Sequence, residues 1–178
     1  MAFFEKSIER KTVYSGRLIA VREDTVELDN ASRAERIIVE HPGGVAVVAV
    51  KDGGSVIMVT QFRYAFAKEL LEIPAGKLER GEIPLECAQR ELSEETGYSA
   101  ATWVSLGAMY PSPGYCEETL HLFLATDLQR GEAHPDEDEF LSVSAVPFSE
   151  LERMILANEL PDGKTVCGLL KAKLYLGK

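Results

Sequence analysis

Three glutamates within one helical turn, Glu91, Glu94 and Glu95, are the densest chemistry in this chain. They stand in the run from Gly76 to Tyr98, GKLERGEIPLECAQRELSEETGY, whose second half the sequence predicts to be a helix. Pro84 suits the first helical position, where its missing N–H is not needed, and Gly97 suits the position just past the last turn. Leu85, Ala88 and Leu92 recur at the spacing of a buried face, while Arg90, Glu91, Glu94 and Glu95 are expected to project elsewhere. The carboxylates then crowd one side of a turn. Each like-charge pair at this spacing costs about 0.2–0.5 kcal/mol, and the helix C-terminus disfavours anions as well. Arg90 offsets part of this through Glu94. A divalent cation such as Mg²⁺ or Mn²⁺ would turn the penalty into a binding site, because such ions take clustered carboxylate oxygens. Taken alone, an acidic pair reads more readily as a solvated helix face.

Composition limits what else the chain can be. At 178 residues it is long enough for a sizeable core and short for two full domains. A formal net charge of −10 argues against nucleic acid or an anionic membrane as the main partner. Cys87, Cys116 and Cys167 are odd in number and widely spaced, which disfavours both a zinc site and a disulfide framework. The start, MAFFEKSIERK, lacks the apolar run of a signal peptide, and no stretch is suited to span a bilayer. Cytoplasm is the expected compartment.

The elements that must position the glutamates follow from periodicity. Residues 11–40 read as short alternating strands broken at Ser15-Gly16 and Asp29-Asn30, a small antiparallel sheet that needs something to pack on. A partner subunit is one candidate. VAVVAV (45–50) reads as a central strand, paired as a hairpin with 55–65. Arg63, where that strand leaves the core, either ends in solvent or meets an anion in bidentate fashion. ELLEIP (69–74) is a strand leading to Ala75-Gly76, where glycine admits close approach of the backbone and the Ala75 carbonyl is available to a metal. Further strands are expected at 101–110, 118–128 and 140–148. Helices are expected at 149–160, capped by Ser149 with Glu152 three residues on, and at 164–176. His41 reads as a surface residue and His121 as a sheet residue. The acidic run DEDE (136–139) reads by itself as a solvated loop. Interleaved strands and helices give an α/β sandwich.

The stretch Gly76, Glu82, Arg90, Glu91, Leu92, Glu94, Glu95, Gly97 and Tyr98 matches, in register, the signature of the Nudix hydrolases. A chance match is on the order of one in a million or rarer. The one departure is Ile83 at the helix N-cap, where Ser or Thr would serve better. Three further features resemble the ADP-ribose pyrophosphatase branch: QFRY before ELLEIPAGKLERGE, SPGY with Pro113 fifteen residues past Tyr98, and the ending GKTVCGLL. The similarity covers most of residues 36–170.

That resemblance implies a Nudix fold, an α/β/α sandwich with a central mixed sheet in residues 41–178. The small antiparallel sheet in residues 1–40 would be exchanged across a homodimer. It implies Mg²⁺-dependent hydrolysis of ADP-ribose to AMP and ribose 5-phosphate, with Mn²⁺ able to substitute. Glu91, Glu95 and the Ala75 carbonyl would be metal ligands, Glu94 would reach the metal through water or support the site, Arg90 would orient the glutamates, and Glu82 would steady the loop–helix junction. Glu137 would be the base and Glu139 its neighbour, with the order of the two left open. Arg36 and Arg63 would face the diphosphate, with Pro113 and Tyr115 beside the substrate. Tyr115 also fits dinucleoside polyphosphate hydrolases. The alternative reading is another substrate of the same family, GDP-mannose or a dinucleoside polyphosphate, followed by a non-catalytic nucleotide sensor.

Overall fold

The computed structural model describes residues 3–134 and 140–177. Two compact units emerge, one made of Met1–Gly43 with Tyr110–Thr119, the other of Gly44–Met109 with Leu120–Lys178.

In the first unit, β1 (Lys6–Ser15), β2 (Ala20–Glu27) and β3 (Arg33–Glu40) form an antiparallel sheet in that order. All ten residues of β1 are exposed, whereas β2 alternates buried and half-buried positions. Arg22 on β2 is buried because it has three acidic partners, Asp24 at 2.9 Å, Glu40 at 2.5 Å and Glu117 at 2.6 Å. Backbone bonds from Val39 N–H to the Tyr115 carbonyl (2.7 Å) and from Glu117 N–H to the Val39 carbonyl (2.9 Å) fasten residues 110–119 to β3.

The second unit is built on β4 (Gly44–Val50), every residue of which is buried. Its alternation defines two layers. Ala46, Val48 and Val50 meet Leu151, Leu160, Leu169 and Ala172 on one face, and Val45, Val47 and Ala49 meet Cys87, Ala88 and Leu92 on the other. Around it lie β5 (Ser55–Arg63), β6 (Lys68–Glu72), β7 (Ala75–Lys77), β8 (Tyr98–Met109), β9 (Leu120–Arg130) and β10 (Leu141–Pro147). The sheet order is β10-β5-β4-β9-β8, with β6 on β5 and β7 on β4. β4 and β9 run parallel and the other pairs antiparallel, so the sheet is mixed. Helix α1 (Pro84–Thr96) covers one face, and α2 (Phe148–Leu156) and α3 (Gly163–Leu176) the other. This is the expected α/β/α sandwich.

Several local expectations change. The hairpin of β4 and β5 is only two residue pairs long, Ala49 with Ile57 and Val50 with Val56, because the strands part to pair with β7 and β6. β8 starts at Tyr98 rather than 101. Ser149 is not a cap: α2 begins at Phe148 behind Pro147, whose φ of −55° already suits helix entry. That helix ends at Leu156, and Asn158 then takes the left-handed conformation at φ 57°, which Asn tolerates. The cap that was missed is Asp162, which accepts the Thr165 N–H at 3.0 Å and starts α3.

Candidate active site

Helix α1 carries the site. It starts without a side-chain cap at Ile83, has Pro84 in its first turn, and stops at Gly97 with φ 71°. Its buried face is only partly the one expected, since Ala88 and Leu92 lie on it and Leu85 does not. Leu85 is 36% exposed, whereas Cys87, Ala88 and Leu92 are buried together with Glu91 (9% exposed) and Glu95 (2% exposed). Ala88, Glu91, Leu92 and Glu95 are spaced i, i+3, i+4, i+7, so the two glutamates occupy the inward stripe itself. Glu94 is half-exposed beside them.

One backbone segment, at Ala75 and Gly76, meets both carboxylates. The Ala75 N–H donates to Glu95 Oε2 at 3.1 Å. Gly76 lies so close to Glu91 that a Cβ there would stand 1.8 Å from the Glu91 Cδ. Any side chain at 76 would therefore force the Glu91 carboxylate to move. β7 is held in place by pairing Val45 with Gly76 and Ala46 with Ala75, and the Val47 N–H bonds the Pro74 carbonyl at 2.9 Å.

Arg90 ties the acidic groups together. Its Nε and Nη2 bond Glu82 at 2.9 and 3.0 Å, and its Nη1 bonds both Glu91 Oε1 and Glu94 Oε2 at 2.9 Å. Glu82 also accepts the Glu79 N–H at 2.9 Å, which pins the loop to the start of the helix. The Arg90 hydrogen bonds draw the Glu82 carboxyl down to about 2. Burial, followed by Glu82, pushes the Cys87 thiol up to about 12, so it is inert as a nucleophile at neutral pH.

Among the described residues, no three acidic, His or Cys side chains are drawn around a common point as a finished metal cage. Arg90 and the Ala75 N–H engage the glutamates instead. The donor chemistry nonetheless fits a hard dication. Set against the Arg90 guanidinium, Glu82 just ahead of the helix and Glu91, Glu94 and Glu95 in its last turns sum to a formal −3, and every donor is oxygen. The contact at Gly76 brings backbone against carboxylate, where carbonyl and carboxylate oxygens can share one ion.

The remaining expected residues are placed as follows. Arg63 is 39% exposed, and its Nε and Nη2 form a fork on buried Glu72 at 2.8 and 2.6 Å. In the other unit, Arg36 is held by Glu5 at 2.9 and 2.6 Å, and Pro113 and Tyr115 are exposed. Glu137 and Glu139 lie outside the described residues. Sequence reasoning missed Glu72 and Lys164. The signal was there for Glu72, because it shares strand parity with Leu70 and both are buried.

The NUDIX domain model matches residues 40–167, and the chain belongs to that family of hydrolases. Nudix hydrolases generally use a divalent metal ion. Among its relatives, the ADP-ribose pyrophosphatase of Bacillus subtilis (strain 168) is 44% identical over 90% of this chain and 88% of its own length. The methanol dehydrogenase activator of Bacillus methanolicus is 42% identical over 92% and 90%. A solved structure described as an ADP compounds hydrolase superposes with a TM-score of 0.86, covering 97% of this chain and 94% of that one. At 22% identity that likeness shows the shared fold alone.

Proposed function

We propose that this protein hydrolyses the diphosphate bond of ADP-ribose, giving AMP and ribose 5-phosphate, with Mg²⁺ as its ion. The observation that carries the reading is the buried pair Glu91 and Glu95, one turn apart and pressed against the Gly76–Ala75 backbone. The name of the Bacillus subtilis relative supplies the substrate class. Glu91, Glu95 and the Ala75 carbonyl would hold the ion, with Glu94 reaching it through water. When bound, such an ion neutralises the diphosphate and makes water a better nucleophile.

The chain's own side chains do the rest. Arg90 fixes the rotamers of Glu91 and Glu94, and Glu82 anchors Arg90. Arg63 and Arg36 are the candidate partners for the diphosphate, with Pro113 and Tyr115 beside the nucleoside. Glu137 takes the proton from the attacking water, with Glu139 next to it. A homodimer is part of the reading, and the wholly exposed β1 supports it, since Ile8, Val13 and Tyr14 on that strand have no cover. Three free thiols suit the cytoplasm. Among the described residues no helix is long and apolar enough to cross a membrane.

The deciding experiment is a panel assay with Mg²⁺ on ADP-ribose, GDP-mannose and a dinucleoside polyphosphate, with products identified by mass. ADP-ribose should be cleaved with the highest kcat/KM. Glu95→Gln should fold and lose more than about a hundredfold in activity, since even outer-shell changes cost ten- to a hundredfold. Cleavage by that variant at the parental rate would falsify the ligand assignment.

A further inference from the structure

A second charged cluster, Arg63, Glu72 and Lys164, lies on β5, β6 and the start of α3, and of the three only Arg63 has a role so far. Glu72 ends β6 with 1% of its surface exposed. A carboxylate this deep is costly unless paired, and an apolar residue of similar size would pack at least as well. Glu72 is paired twice. It takes both inner N–H groups of the Arg63 fork and also the ammonium of Lys164. Lys164 is held in turn by Asp162 at 3.0 Å. Burial would raise the Glu72 carboxyl, but Arg63 and Lys164 outweigh it and hold it below the usual carboxylate range.

Other contacts attach α3 as well. The Ile73 N–H already donates to Thr165 Oγ1 at 3.0 Å, Asp162 caps the helix, and Gly168 packs so closely that a Cβ there would meet Ile73 at 2.8 Å. What the cluster adds is order in Arg63. One edge of the guanidinium is fixed on Glu72, while Nη1 has no hydrogen-bond partner among the described residues and the side chain stays 39% exposed. Glu95 is near enough to contribute to the raised pKa of Arg63, after the larger effect of Glu72. That contribution is the smallest of those named, behind Asp162 as well, and places the guanidinium as a whole within electrostatic reach of a candidate metal ligand.

We infer that Glu72 is a positioning residue, which holds Arg63, with Lys164 beside it, as a preorganised donor for the phosphate oxygens of the substrate. This rests on the hydrolase reading above. A free arginine must be immobilised when it grips an anion, and sparing one side chain that loss corresponds to about a five- to tenfold gain in affinity.

The test uses the full chain with Mg²⁺ and compares the parent, Glu72→Gln, Arg63→Lys and the double variant. KM and kcat are measured on ADP-ribose, and Kd on its non-hydrolysable methylene analogue and on adenosine. Glu72→Gln should raise KM and the analogue Kd about five- to tenfold, with a smaller fall in kcat and no shift for adenosine, which has no phosphate. Arg63→Lys should weaken both at least as much, since it removes the donor fork itself, and the double variant should be no worse than Arg63→Lys alone, because Glu72 acts through Arg63.

If KM and analogue binding stay within about twofold of the parent, or adenosine weakens alongside the analogue, the inference fails. Should Glu72→Gln not fold, Glu72→Asp replaces it, since the shorter carboxylate cannot span both nitrogens of the fork. If neither folds, Glu72 is structural and the inference is wrong. A parent that cleaves nothing in the panel sinks the hydrolase reading separately, while the analogue Kd still reports on Glu72.

Discussion

Arg90→Ala removes the guanidinium that is bonded at once to Glu82, Glu91 and Glu94, so its cost can be worked out from the structure. Hydrogen bonds to charged partners contribute about 1.5–3 kcal/mol each when well buried. Here Arg90 is 31% exposed and Glu94 is at the rim, so those two contacts count for much less. Glu91, at 9% exposed, loses a counter-charge it cannot replace with bulk water. Together these give about 2–3 kcal/mol, below the 3–5 kcal/mol of a fully buried broken pair. For a chain of this size, that corresponds to a fall in Tm of about 4–12 °C in EDTA. Millimolar Mg²⁺ should recover part of the loss, because a dication neutralises the same carboxylates. Thermal unfolding in EDTA and in Mg²⁺ measures both effects. A Tm within about 1 °C of the parent in EDTA, or the same deficit with and without the ion, would refute the reasoning.

Two other outcomes follow from the same geometry. Gly76→Ala puts a methyl 1.8 Å from the Glu91 Cδ, so the carboxylate must move; the expected cost is about 1–3 kcal/mol in stability. Weaker Mn²⁺ binding should accompany it in titration, and unaltered binding would show that Glu91 is not a ligand. The Glu82 carboxyl, held at about 2 against an ordinary 4.5, gives stability that is complete above about pH 4.5 and lost as pH falls towards 2. With solvent screening this amounts to about 1–2 kcal/mol. Urea midpoints for the parent and Glu82→Gln should therefore differ at pH 6 and converge near pH 2, and a constant gap would count against the Arg90–Glu82 pair as its source.

Helix α1 shows what could be read in the chain and what could not. Pro84 and Gly97 fix its ends by local chemistry, so the bounds were legible. Its inward face was misjudged because only apolar residues were counted, although Glu91 and Glu95 continue the stripe of Ala88 and Leu92. Strand β7 is three residues long and exists because β4 parts from β5, which no local pattern announces. Asp162 was legible as a cap, since an Asp stands just ahead of the helix expected at 164–176, and was not read as one. Lys164 reaches Glu72 across 92 residues, and nothing in either neighbourhood of the chain encodes that meeting. Burial of Arg22 likewise depends on Glu117, 95 residues away.

The outer strand of the small sheet has a bearing on how this protein behaves in concentrated solution. A ten-residue edge with open backbone groups is a template for any extended chain, and unguarded edges of that length seed fibrils. Here the template is irregular. Its register with β2 slips between Ser7 and Glu9 and again between Thr12 and Tyr14, and Lys6, Glu9, Arg10 and Lys11 stud the stretch with charge. Those two kinks and four charges act as gatekeepers: they reject a generic flat strand and leave only a neighbour shaped to the same irregularities.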